Sequence, residues 1–123
     1  MTDRPRRPMP DAFIPLSPVV FDILLALSDD ERHGYAIMQE VSRRSAGATR
    51  LRPGSLYRAL ARLVQEDLVQ ECDERPAPDL DDQRRRYYRL TPLGQKVVAA
   101  EARRLAALLR AARAKKVLKG EPA

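Results

Sequence analysis

Two short stretches of this sequence carry side chains that could do chemistry, and both are basic. In RPGSLYRALARL, residues 52–63, the polar residues Ser55, Arg58 and Arg62, with Gln65 just beyond, recur at the spacing of one helical stripe. Leu56, Leu60, Leu63 and Val64 form the opposite, apolar stripe. A helix divided this way can dock by its leucines and enter a DNA major groove, about 12 Å wide, with its polar face. Arginine can bond guanine through two hydrogen bonds, and the Tyr57 hydroxyl, at the flank of the stripe, can reach a phosphate. An ordinary amphipathic surface helix has the same pattern, because arginine is a good helix former. In RRRYYRLT, residues 84–91, Arg84, Arg85, Arg86 and Arg89 place four positive charges beside Tyr87 and Tyr88. As a strand, this stretch turns Arg85, Tyr87 and Arg89 to one face and Arg84, Arg86 and Tyr88 to the other, with one tyrosine packing inward. Such a strand suits the sugar-phosphate backbone; a charged, solvated edge strand is the competing reading.

Other chemistries find no constellation. His33 is the only histidine and Cys72 the only cysteine, which excludes a zinc cluster and an internal disulfide. Nucleophile motifs, a P-loop and paired carboxylates in a structured context are missing, so the chain is expected not to be an enzyme and to need no cofactor. His33, ahead of Gly34 at a helix start, reads as structural, and Cys72 as packing at a strand edge. Six acids and one base lie between Glu71 and Asp82. They lack the spacing and glycine of a calcium loop, and suit screening of the neighbouring arginines or a disordered tip.

The elements that must position the two basic stretches follow from caps and periodicity. Residues 1–16, rich in proline and arginine, read as a flexible arm. Ser17 and Pro18 open a first helix whose apolar residues run nearly all round, so that it should be buried on several sides. A second helix begins at His33-Gly34, with Ile37, Met38 and Val41 on one face and Gly47 as a stop. The quoted stretch forms a third helix over roughly 53–66. DLVQEC at 67–72 and RRRYYRLT at 84–91 pair as a hairpin around a long polar loop. Thr91 and Pro92 then start a fourth helix, to about 117. Within it Val98, Ala102, Leu105, Leu109 and Ala112 are spaced as a heptad seam, suited to packing on a symmetry mate and on the domain core. The expected fold is therefore mainly α: a winged helix-turn-helix of three helices and a two-stranded wing over 17–91, a long C-terminal dimerisation helix over 92–118, and a tail over 119–123.

The charge balance agrees with a nucleic-acid partner. The formal net charge is +6 and the isoelectric point is near 10.0, favouring nucleic acid first and an acidic membrane second. No apolar run approaches the ~20 residues of a membrane helix, and the N-terminus lacks a secretory h-region. The chain is expected to be cytoplasmic.

HGYAIMQEV, LRPGSLYRALARLVQEDLV and RRRYYRLTPLGQKVV, taken together and in this order, resemble the signature stretches of PadR-family transcriptional regulators of the short type. The resemblance covers about residues 17–100. It implies a homodimeric winged-helix protein, usually a repressor, on a pseudo-palindromic operator in double-stranded DNA. It makes the helix with Ser55, Tyr57 and Arg58 the recognition helix, places Arg85 and Arg86 on the wing, and gives dimerisation to the C-terminal helix with help from the first. It also implies a small-molecule effector for some members, aromatic or planar and bound near the dimer interface; this sequence has no tryptophan to stack on one. Where members often carry a capping Ser or Asn, this chain has Arg52. A cation there opposes the helix dipole, and a bound phosphate would reverse that balance. Where members often carry Gly before the wing arginines, this chain has Gln83. A winged-helix module that binds a protein or ligand and not DNA is the alternative; its contacts should be far less sensitive to salt.

Overall fold

A computed structural model describes residues 9–72 and 86–118. Helix α1 spans Pro18–Ala26, strand β1 Arg32–His33, α2 Gly34–Arg44, α3 Pro53–Gln65, β2 Val69–Cys72, β3 Tyr87–Leu90 and α4 Pro92–Ala114. The fold is mainly helical, with a small antiparallel sheet in the order β1-β3-β2. The wing thus has three strands, not two. β1 is only two residues long and pairs Arg32 with Tyr88 and His33 with Tyr87, too short for alternation to reveal it. The acidic loop and the first eight residues lie outside the described residues, as do Arg84, Arg85 and the tail.

The helices start where their caps dictate. The Ser17 hydroxyl accepts the Val20 N–H at 3.2 Å, and the Thr91 hydroxyl accepts the Gly94 N–H at 2.9 Å, each with proline at the first helical position. His33 Nδ1 accepts the Ala36 N–H at 3.1 Å, which leaves the ring proton on Nε2. Its ring also meets Tyr87 edge-on, with centroids 5.3 Å apart. The lone histidine is a helix cap. Helices α2, α3 and α4 stop in one manner. The residue after each C-cap is left-handed, with φ +54° at Ala46, +63° at Asp67 and +60° at Lys116. The next N–H then returns to a carbonyl five residues back: Gly47 to Ser42 at 2.8 Å, Leu68 to Leu63 at 3.0 Å, Val117 to Ala112 at 3.0 Å. The long α2–α3 connection is drawn together by the Ser45 hydroxyl, which accepts the Thr49 N–H at 2.9 Å.

One core joins the elements. Ile23 and Leu24 from α1, Ile37 and Val41 from α2, Leu56, Leu60 and Leu63 from α3, Leu68 and Val69, Tyr88 and Leu90 of the sheet, and Val97 and Val98 of α4 are all buried. Each such aliphatic side chain contributes roughly 1.5–3 kcal/mol relative to exposure. α1 is less enclosed than its composition predicts: Val20, Phe21 and Leu25 are only partly covered, and Val19 is exposed. The described chain offers no element to cover that side.

The stretch 9–16, read from sequence as part of a loose arm, is held against the body. Pro10–Phe13 forms a 3-10 turn that packs on α4. The Leu16 N–H reaches Glu101 Oε2 at 3.1 Å. Glu101 is 2% exposed and also accepts two bonds from Arg104, at 2.7 and 2.9 Å. Those hydrogen bonds, Arg104 first, hold its carboxyl below the usual carboxylate range against the opposing effect of burial. Proline and arginine content suggested disorder because composition is blind to a single buried acceptor four helical elements away.

Candidate nucleic-acid interface

α3 is amphipathic in the way its spacing requires. Leu56, Leu60 and Leu63 are at most 3% exposed, while Arg58, Arg62 and Gln65 are exposed and Ser55 is half-buried. The leucines fix the rotation of the helix about its axis, so the arginines have no choice but to face out. Arg52 is the N-cap residue, with extended backbone and no side-chain cap, and Pro53 fills the first helical position. Arg58 and Arg62 border one groove, beside Phe13, Leu16 and Val20. Arg62 lies 3.6 Å from Glu66.

Tyr57 leaves this stripe for the other flank. Its ring lies over Gly34, the first residue of α2, where a Cβ would sit 2.8 Å from the phenol Cζ and collide with the hydroxyl. Gly34 thus permits a close crossing of α2 and α3. On the same flank Tyr57, Ala61 and Val64 face Glu71, Arg86 and Tyr88 of the wing across a cleft of about 290 Å³. Tyr88 is the inward tyrosine of the pair, 5% exposed. Burial first, and the neighbouring Glu71 carboxylate second, raise its hydroxyl pKa, against the pull of Arg86, which hydrogen-bonds it. Arg86 is also 3.5 Å from Glu71. Arg89 is exposed, with Nε 3.4 Å from Gln70 Oε1 across the strands. Cys72 is buried, and its thiol is 3.3 Å from a Glu31 carboxylate oxygen. Of the eight residues expected to meet DNA, the structure brings Arg52, Ser55, Arg58 and Arg62 to α3, and Tyr57 and Arg86 to the cleft between α3 and the wing. Arg84 and Arg85 lie outside the described residues. Arg50, exposed in the loop leading into α3, adds a base that no periodicity singles out.

The junction that fixes α4 relative to α3 is unusually close. The Thr91 hydroxyl donates to the Asp67 carbonyl at 2.6 Å, and the Thr91 N–H donates to the Leu68 carbonyl at 3.1 Å. Gly94 lies directly on the Leu68 peptide. Beyond Glu101 the helix leaves the body. Of the expected seam, Val98 is part of the chain's own core, Ala102 is exposed and Ala112 half-buried. Leu105 is 38%, Leu108 55% and Leu109 41% exposed. The apolar stripe therefore begins after Val98 and includes Leu108, which strict heptad spacing passes over.

This arrangement, an amphipathic third helix beside a small wing and a projecting fourth helix, defines the winged-helix class of regulators. Residues 23–100 match the model of the Transcriptional regulator PadR-like family, and the chain belongs to that family. A 37.1 kDa protein in transposon Tn4556 of Streptomyces fradiae is 41% identical over 86 residues, 70% of this chain and 22% of that protein. A protein of Lysinibacillus sphaericus is 32% identical over 74 residues, 59% of this chain and 64% of that one. The chain thus spans less than two thirds of either relative. Among solved structures, a transcriptional regulator from Clostridium thermocellum superposes with a TM-score of 0.64 at 24% identity, over 82% of this chain and 90% of the other. A PadR-like transcription factor from Bacteroides fragilis superposes with a TM-score of 0.65 at 21% identity, over 77% and 86%. At these identities the likeness is one of fold. No helix of the described residues is long and apolar enough to cross a membrane.

Proposed function

We propose that this chain is a cytoplasmic, homodimeric, sequence-specific DNA-binding repressor. α3 lies in the major groove of each half of a pseudo-palindromic operator, and Arg84, Arg85 and Arg86 of the wing follow the adjacent backbone. The observation that carries this reading is the division of α3. Its leucines are sealed in the core, and Arg58 and Arg62 stand exposed on its outer side, with Arg86 of the wing across the other flank. Base edges are read by Arg58, and phosphates are contacted by Arg52, Ser55, Tyr57 and Arg62. A phosphate at the start of α3 turns Arg52 from a poor neighbour of the helix dipole into a useful one. Two copies join along Ala102, Leu105, Leu109 and Ala112, with the uncovered side of α1 adding to the contact. A small-molecule effector that releases the DNA fits the family's short members.

Arg58→Ala tests the reading face. Among the described residues Arg58 makes no ion pair, so its loss should leave the fold intact. Losing one arginine contact to a base costs about 1–3 kcal/mol, which is roughly a 5- to 150-fold weaker complex. A gel-shift titration at physiological salt measures it; unchanged affinity would remove Arg58 from the interface.

A further inference from the structure

Two of the arginines assigned to the interface are held by acids in the free chain. Arg62 pairs with Glu66 at 3.6 Å, with the arginine side chain 79% exposed. Arg86 pairs with Glu71 at 3.5 Å. Neither acid is placed where it helps the fold much. Glu66 is the C-cap of α3, where the helix dipole disfavours negative charge. It also follows its arginine in sequence, the weaker order for an i,i+4 pair. Glu71 lies opposite the buried Tyr88 in the sheet register and so places a carboxylate on the wing, facing α3 across the cleft. Exposed pairs of this kind contribute about 0–1 kcal/mol to stability.

We propose that Glu66 and Glu71 are built-in competitors of the DNA phosphates, each occupying one interface arginine until DNA displaces it. This rests on the DNA-binding reading above. Each acid lowers affinity twice: its arginine must be released first, and its own charge then lies close to the phosphates. The penalty is independent of base sequence, because it acts on phosphate contacts. The pair of acids therefore holds down binding to random DNA, leaving sequence-dependent contacts such as those of Arg58 to decide where the protein stays.

The test uses the full chain and a random-sequence DNA duplex, followed by fluorescence anisotropy over a salt series. Glu66→Gln and Glu71→Gln should each bind about threefold more tightly than the parent, within the range of an exposed ion pair. Their affinities should fall more steeply with salt, as the freed arginines displace more counterions. Glu40→Gln makes the same charge change on α2, where Glu40 pairs with Arg43 and Arg44, and should change binding much less. In an Arg86→Ala background the gain from Glu71→Gln should shrink. Equal gains from Glu40→Gln, or an undiminished gain in the Arg86→Ala background, would overturn the proposal while leaving DNA binding intact. A parent chain with no salt-dependent affinity for duplex DNA would overturn both readings together.

Discussion

Gly94→Ala should lower the stability of this chain by about 2–3 kcal/mol, the upper end of the cost of overpacking. A Cβ at Gly94 would collide with the Leu68 carbonyl oxygen and sit 3.0 Å from its carbon. Both groups are backbone, so neither can rotate away. The Leu68 carbonyl is also the acceptor for the Thr91 N–H, and the Gly94 N–H is bound to the Thr91 hydroxyl. A displaced helix start would therefore strain two hydrogen bonds as well. Alanine's better helix propensity returns at most about 1 kcal/mol. For a chain of this size the net loss lowers the melting temperature by roughly 10 °C, measured at matched protein concentration. Gly54→Ala is the contrasting case. A Cβ there meets only the flexible end of Arg58, at 3.5 Å, and should stabilise by about 0.5 kcal/mol. Two identical substitutions of opposite sign would show that the α4 start is welded to the turn after α3. That weld sets the direction in which α4 leaves the body. If Gly94→Ala melts with the parent, the close approach is not what fixes that direction.

Leu105→Glu and Leu109→Glu should each break self-association. Both leucines lie past Glu101, where α4 has left the core. With Leu108 and Ala112 they make an apolar stripe of four residues over about two helical turns. In a dimer this stripe is covered, and a glutamate in it is a buried charge without a partner, costing about 3 kcal/mol or more. That is at least a hundredfold in the association constant. In a monomer the same substitutions would be surface changes, worth within about 0.5 kcal/mol. Sedimentation velocity distinguishes the two: a dimeric parent and monomeric variants are expected. Variants that sediment with the parent would place the interface elsewhere. Val98 is a poor probe of the seam, because it is buried in its own domain and its loss would unfold the chain as readily as separate it.

The fold was legible where one strong local signal decides it. Ser17, Thr91 and the prolines that follow them fix two helix starts, and the leucine stripe of α3 fixes which side of that helix is buried. The order of HGYAIMQEV, LRPGSLYRALARLVQEDLV and RRRYYRLTPLGQKVV along the chain carries the PadR family pattern, which the match over residues 23–100 shares. What stayed hidden depends on partners distant in sequence. The two-residue β1 exists because Arg32 and His33 find Tyr88 and Tyr87. The turn at Pro10–Phe13 is held because Leu16 finds Glu101, 85 residues away. In the site, periodicity placed Arg58 and Arg62 on the outer face. It could not place Tyr57 over Gly34, which follows from how α2 crosses α3, nor pair Arg86 with Glu71, which follows from the register of β2 against β3. The heptad reading of α4 carried Val98 into the seam because a spacing rule does not know where the core ends.

The central claim is that two copies of α3, set by α4, read two halves of one DNA site. Selection of bound duplexes from sheared genomic DNA of the source organism, followed by sequencing, tests it most directly. The expected result is enrichment of an inverted repeat whose half-sites are about one helical turn, ~34 Å, apart, lost with Arg58→Ala. Recovery of fragments without any shared inverted repeat would contradict it.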